Sequence, residues 1–358
     1  MNTLTDTGKC IRGITEVKQN KITGITDLVY IMLSFHRVGC LFQRTIRQIR
    51  APMIPYRTVQ SVAAFNEEIR LPVTNFKLHK LESGPSAEAS LTKADALIYY
   101  RHMKMIRCME EAIWDLFKSN HVRGQSHLST GQEACAVGMF AALKPDDAIS
   151  CSHRNHAWAY LKGLSPHQIL AEITGRITGS SKGKGGSMHL YRKQTNFFGG
   201  SAIVGSQVPL GAGMALAMKR QKRGNISVAV YGEGAANQGQ VFEAFNIAKL
   251  WDLPVIFVCE NNQVARNSEA HRTTACTEFY TRGDYIPGIW VDGMDLLTVR
   301  EATRWAAEYC RAGYGPIVIE MDTSHLHGHA ISVANYDALQ ISDDMASKDP
   351  ITKFYINF

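Results

Sequence analysis

Hydrophobic positions change their period several times along this chain, and each change marks an element. From Thr92 to about Ser119, Leu97, Tyr100, Met103, Ile106 and Ile113 recur at helical spacing behind a threonine N-cap, which predicts a helix facing the core. A polar, Pro/Gly-marked linker, Leu81-Glu82-Ser83-Gly84-Pro85, precedes it. The small residues from Ala212 to Met218 predict a helix suited to close packing against a sheet or a partner. Ile226 to Tyr231 is a continuous apolar run ending in glycines, the pattern of a buried strand. Next comes a helical stretch with Val241, Ala244, Phe245, Ala248 and Trp251 on one face. Pro254 then opens a second apolar run, Val255 to Cys259. Strand, glycine turn, helix and strand make a βαβ unit with two parallel strands and a right-handed crossover, which predicts an α/β fold.

In such units ligands bind beyond the carboxyl ends of the strands. Here those ends carry Gly232-Glu233-Gly234-Ala235-Ala236-Asn237 and Glu260-Asn261-Asn262. Gly232 and Gly234 allow close backbone approach to an anion, and the following helix start offers N–H groups to it. A carboxylate and amide oxygens opposite a diphosphate make a Mg²⁺ site, because that ion takes few protein ligands and several phosphate oxygens. The competing reading is a dinucleotide fingerprint. It fits less well, because Asn237 stands where the third glycine belongs and the second strand ends in two asparagines. An ordinary βα turn explains the glycines but not the asparagines.

Composition narrows the class. The chain has 358 residues and 45% hydrophobic content, enough for a large core. Its formal charge of +7 is concentrated near the N-terminus. No acid occurs from Leu28 to Asn66, where Arg37, Arg44, Arg47, Arg50 and Arg57 all lie. Phe35, Val38, Phe42, Ile46 and Ile49 share one helical side there. This amphipathic, Arg-rich pattern describes a mitochondrial transit peptide, or else a basic surface helix or nucleic-acid arm. It is too short and too charged for a membrane span. The preceding stretch contains Asp6, Glu16 and Asp27, so the leader is expected to start from Met32, with residues 1–60 as an extension and 61–358 as the folded domain. The eight cysteines show no paired metal-ligand spacing and indicate a reducing compartment.

Two further polar stretches follow short apolar segments. One runs from Arg123 to Ala134 and contains His127; the other is Cys151-Ser152-His153-Arg154-Asn155-His156. His127, His153, Arg154 and His156 form a cationic set that can meet phosphate. Lys182-Gly183-Lys184-Gly185-Gly186-Ser187-Met188-His189 reads either as an anion cradle or as a plain surface turn.

With these segments in order, the sequence from about Thr92 to about Ile351 resembles the alpha subunit of the mitochondrial pyruvate dehydrogenase component. Ala-Ala-Asn-Gln-Gly-Gln after Gly234, Arg282-Gly283-Asp284-Tyr285-Ile286-Pro287-Gly288 and Val291-Asp292-Gly293-Met294-Asp295 carry the match. The resemblance implies a doubly wound parallel α/β domain of the thiamine diphosphate-binding fold. It implies thiamine diphosphate and Mg²⁺ as cofactors, and a heterotetramer of two alpha and two beta subunits in the mitochondrial matrix. The expected activity is pyruvate decarboxylation with transfer of the acetyl unit to lipoyl groups of a dihydrolipoyl acetyltransferase core. The alternative is a catalytically silent paralogue that binds the beta subunit as a structural or competing partner. Glu233, Asn262 and the carbonyl of Val264 would hold Mg²⁺, and the backbone of Gly234 and Ala235 would meet the diphosphate. Arg154 would pair with that diphosphate beside His153, Ala202 and Val204 would hold the aminopyrimidine, and His127 and His329 would face the channel.

The chain departs from the family at chosen points. Glu233 stands where the family has Asp, and His153 where it has Tyr. The extra methylene of Glu233 is expected to weaken Mg²⁺ binding, since that ion demands near-octahedral geometry. Val264-Ala265-Arg266-Asn267 replaces a glycine-containing segment after the asparagines. In a stretch resembling the family's phosphorylation loop, Ala330 occupies the position of the main regulatory serine and Glu269 that of another. Escape from the dedicated kinases is the corresponding expectation, with Ser332 nearby as the substitute acceptor.

Overall fold

The computed structural model describes residues 68–122, 124–265, 268–326 and 349–356. The expected leader with Met32, the boundary at residue 60, and His329, Ala330 and Ser332 lie outside these residues.

The centre of the fold is a seven-stranded sheet. Its strands are β2 (Lys77–His79), β4 (Ala148–Cys151), β5 (Phe197–Gly200), β6 (Ser227–Gly232), β7 (Val255–Asn261), β10 (Gly288–Asp292) and β11 (Ile317–Asp322). They lie in the order β2-β10-β11-β7-β6-β4-β5. Every pairing is parallel except that of the edge strand β2 with β10. Two small antiparallel pairs stand apart: β1 (Glu68–Pro72) with β3 (Glu88–Thr92), and β8 (Val264–Ala265) with β9 (Ser268–Glu269). This is the expected α/β architecture with a mostly parallel sheet.

Successive side chains of a strand point to opposite faces, and the sheet accordingly has two cores. Val228, Val230, Ile256, Val258, Ile317 and Ile319 belong to one. Ala229, Tyr231, Val255, Phe257 and Cys259 belong to the other. The first is covered by α1 (Lys93–Lys118) and α2 (Glu133–Ala142), with α3 (His156–Leu161) and α4 (Pro166–Ile173) beside them. The second is covered by α5 (Gln207–Gln221) and α6 (Gly239–Leu250). Helix α7 (Leu296–Arg311) joins the first layer, and α8 (Pro350–Ile356) adds Ile351 and Phe354 to it.

Helix α1 starts where its cap requires: the Thr92 hydroxyl accepts from Asp95 N at 3.1 Å. Met103, Ile106 and Ile113 are fully buried, but Leu97 is 41% exposed. Strict three-residue steps drift back by about 60° each on a helix of 3.6 residues per turn, which turns Leu97 out of the stripe. Trp251 is also exposed, because α6 ends at Leu250 and the helical period no longer aims the residue beyond it. The small residues of α5 pack on the sheet: a Cβ at Gly211 would come within 2.5 Å of Ala229 Cβ on β6.

Candidate functional site

Parallel strands end together at one edge of a sheet, and most of the expected residues follow those ends. Arg154 comes just after β4, Glu233 after β6 and Asn262 after β7. Ala202 and Val204 follow β5, and Thr323 to Leu326 follow β11. With neighbouring strands about 4.8 Å apart, the ends of β4, β6 and β7 bring their residues into one region. His127 arrives from the loop ahead of α2.

Arg154 is buried, and its Nη1 donates to the carbonyl of Leu128. Burial pulls its pKa down to about 10, opposed by the nearby carboxylates of Glu260, Glu233 and Glu110. The guanidinium therefore keeps its charge at neutral pH. Glu260, the last residue but one of β7, is pushed up to about 7 by burial, with Arg154 opposing and Glu233 reinforcing the shift. Burial likewise raises the Glu233 carboxyl, against the hydrogen bonds of its own and the Asn262 backbone and the charge of Arg154. Two buried carboxyl groups thus share this region with one guanidinium. Glu260 was not among the expected site residues. Its place beside two asparagines at the end of a buried strand was the available signal.

The two asparagines divide their work. Asn261 does not open into the site: its Nδ2 donates to Glu320 Oε1 on β11 at 2.8 Å, and its Oδ1 accepts from Gln263 N at 3.0 Å. That second bond holds Gln263 in a left-handed conformation with φ of 65°. Asn262 is the half-buried residue that the turn presents, with its N–H donating to Glu233 Oε2 at 3.4 Å. Val264 follows in the short strand β8, paired with Glu269 of β9.

Gly234 caps a turn of 3₁₀ helix, Ala235–Asn237, whose first N–H is that of Ala235. Ala202 and Val204 lie at the surface, and the Val204 carbonyl accepts from Gln240 Nε2 at 2.9 Å. Gly205, at φ of +87°, lets this segment pass close to Gln238 and Gln240. His127 is buried with its ring centroid 4.3 Å from that of His153, in an edge-on arrangement. The loop before α2 is held against the end of β11: Leu326 N donates to the Thr130 carbonyl at 2.9 Å. A Cβ at Gly131 would approach Ser324 O to 2.6 Å.

Two members of the expected anion-binding set have other work. His156 does not line the site; it is fully buried against Glu110 and Ser187. Its place in the first turn of α3, two residues past Arg154, turns it towards the core. The glycine-rich loop does cradle an anion, but that anion is the chain's own Glu172. The carboxylate accepts from the backbone N–H groups of Ser181, Gly183 and Gly185 at 2.7, 2.9 and 2.6 Å. Among the described residues no cluster of three or more His, Cys, Asp or Glu side chains forms a ready-made metal cage. No helix of the described residues is long and apolar enough to cross a membrane.

The chain is similar to known proteins over most of its length. Residues 101–356 match the model of the dehydrogenase E1 component family. A probable mitochondrial pyruvate dehydrogenase E1 component subunit alpha of Caenorhabditis elegans is 52% identical over 317 residues, covering 88% of this chain and 79% of that protein. The type I mitochondrial alpha subunit of Ascaris suum is 51% identical over 297 residues, 82% of this chain and 74% of its own length. The somatic-form mitochondrial alpha subunit of Homo sapiens is 49% identical over 290 residues, covering 80% and 74% respectively. A match of this extent, on a sheet whose strand ends carry the expected residues, places the chain in the dehydrogenase E1 component family.

Proposed function

We propose that this chain is the alpha subunit of a mitochondrial, thiamine diphosphate-dependent pyruvate dehydrogenase E1 component. The observation that carries the reading is the convergence of Arg154, Glu233 and Asn262 at the carboxyl ends of β4, β6 and β7, the edge at which parallel sheets bind ligands. The names of its relatives add the substrate and the compartment.

The residues fit a diphosphate and a divalent cation together. Arg154 is a buried cation that can neutralise a diphosphate, with the N–H groups of Gly234 and Ala235 approaching it from the 3₁₀ turn. Glu233 and Asn262 would hold Mg²⁺, with the carbonyl of Val264 as a further ligand. The raised carboxyls of Glu233 and Glu260 fit a site that gains a cation on loading, since positive charge brings such groups back to their ionised form. Ala202 and Val204 would meet the aminopyrimidine through their backbone, and His153 would support Arg154 at the diphosphate. His127 and His329 would face the pyruvate channel.

When bound, thiamine diphosphate supplies a nucleophilic thiazolium carbon and an electron sink for decarboxylation. The chain's own contribution would be to hold the diphosphate end through Arg154 and to present His127 to the pyruvate anion. The beta subunit would add the carboxylate that activates the cofactor, and the acetyl unit would pass to a lipoyl group of the acetyltransferase core. Two units, residues 1–60 and 61–358, would be the leader-bearing extension and the catalytic domain. Ala330 and Glu269, at positions of regulatory serines, would leave the enzyme insensitive to the dedicated kinases, because no phosphate could add negative charge there.

The test is calorimetric titration of thiamine diphosphate, with and without Mg²⁺, into this chain co-expressed with a beta subunit. Saturable, Mg²⁺-dependent binding followed by pyruvate turnover is the expected result. A well-assembled complex that binds no cofactor would instead establish a non-catalytic partner of the beta subunit.

A further inference from the structure

A chain of buried hydrogen bonds lies behind the site. His156 Nδ1 faces Glu110 Oε2 at 2.8 Å, and its Nε2 faces Ser187 Oγ at 2.8 Å. Ser187 Oγ lies 3.0 Å from Ser126 Oγ. At the opposite end, Glu110 Oε1 accepts from both the Ser129 hydroxyl, at 2.7 Å, and the Ser129 N–H, at 3.1 Å. All five side chains are buried, none more than 5% exposed. Burial alone would raise the Glu110 carboxyl, but His156 and the two bonds from Ser129 hold it below its ordinary value.

Glu110, His156 and Ser187 have the connectivity of a hydrolytic triad. Burial removes that function, since no substrate reaches the Ser187 hydroxyl, and the chain ends on Ser126 instead. What the two ends share is their address. Ser126 and Ser129 flank His127 and Leu128, and the Leu128 carbonyl is the acceptor of Arg154. Ser187 is in turn delivered by the glycine-rich loop that folds around Glu172.

We propose that His156 is a positioning residue, which clamps the 126–129 turn at both ends through Ser187 and Glu110 and so fixes His127 and the Leu128 acceptor of Arg154. Spacing favours such an arrangement. A loop carrying a functional histidine needs its backbone held on both sides, and an imidazole hydrogen-bonded at both ring nitrogens joins two loops and two helices through one ring. The functional part of the proposal rests on the cofactor site described above; the mechanical part does not.

The experiment compares wild type with Ser187→Ala, in this chain assembled with a beta subunit. Ser150→Ala serves as control, because Ser150 makes a buried bond to the Gln207 carbonyl at 2.9 Å away from this turn. Hydrogen exchange at the Ser126–Thr130 amides is the first readout, and at least tenfold faster exchange in Ser187→Ala alone is expected. The second is cofactor dependence: the concentration of thiamine diphosphate for half-saturation rises about tenfold, while kcat at saturation changes less than threefold. If Ser187→Ala does not fold, Ser126→Ala severs the same chain at its outer end and is read identically. Exchange of the 126–130 amides equal to that of wild type overturns the proposal. Wild-type protein without cofactor binding overturns the site reading instead, and leaves the exchange data to judge the clamp.

Discussion

The backbone N–H of Asn262 donates to the carboxylate of Glu233 at 3.4 Å, joining the ends of two adjacent parallel strands. The long arm of glutamate is what reaches that N–H. Glu233→Asp withdraws the carboxylate towards β6 and restores the length expected of a Mg²⁺ ligand at this position. Mg²⁺-dependent affinity for thiamine diphosphate should rise severalfold in calorimetry. Stability of the cofactor-free chain should fall by about 1 kcal/mol in urea melts, the usual net worth of one hydrogen bond. Weaker cofactor binding by the Asp variant would show that the site is built for glutamate.

Arg154 combines a fixed fork with a buried charge. Arg154→Lys keeps the charge but loses the planar donor set, so the bond to Leu128 and a bidentate grip on a diphosphate cannot coexist. Half-saturation by thiamine diphosphate should move at least tenfold higher, measured by activity at increasing cofactor. An unchanged value would remove Arg154 from the diphosphate site.

Glu172 holds the glycine-rich loop from inside. Glu172→Ala leaves the N–H groups of Ser181, Gly183 and Gly185 without their acceptor. A loss of about 2 kcal/mol is expected, since an abandoned buried donor costs on the order of 1–3 kcal/mol and these three are only half-buried, so water replaces part of what is lost. Trypsin should then cut after Lys182 or Lys184 faster than in wild type. Resistance equal to wild type would mean that the backbone of this loop needs no internal anion.

Burial pushes the thiols of Cys135, Cys151, Cys259 and Cys310 up from their ordinary value. The thiolate is the reactive form, so these four gain reactivity only at pH well above that of an exposed thiol. Among the described cysteines, iodoacetamide at pH 8 should label Cys276 before Cys108: both are exposed, but desolvation of its thiol and the charge of Glu111 raise Cys108. The four buried thiols should react only after unfolding. Peptide mass mapping after timed alkylation is the check, and early labelling of Cys151 would contradict its place beneath the site.

Much of this was legible from residue order alone. Thr92 as the cap of α1, the parallel strands around the Gly232–Gly234 turn and the delivery of Asn262 to a strand end all follow from local rules. A cap needs a side chain within three residues, a buried strand needs a short apolar run, and a βαβ unit dictates which ends carry ligands. Where the reading strayed, the cause was geometric. Leu97 drifted off a stripe counted in threes, and Trp251 lay one residue past the end of its helix.

The sequence by itself determined the fold class, the family resemblance and the short segments from which the site is drawn. Only the tertiary structure decided which polar groups within those segments face outwards. Asn261 and Asn262 are neighbours of the same type, yet the Asn261 side chain bonds Glu320, 59 residues away, while the Asn262 N–H turns to Glu233 at the end of the neighbouring strand. Glu172 fills the loop that looked open to a ligand, and His156 is drawn inwards by Glu110, 46 residues earlier. Periodicity and spacing act over one or two turns of chain. The partner of a buried polar group is set by whichever distant element packing brings within about 3 Å.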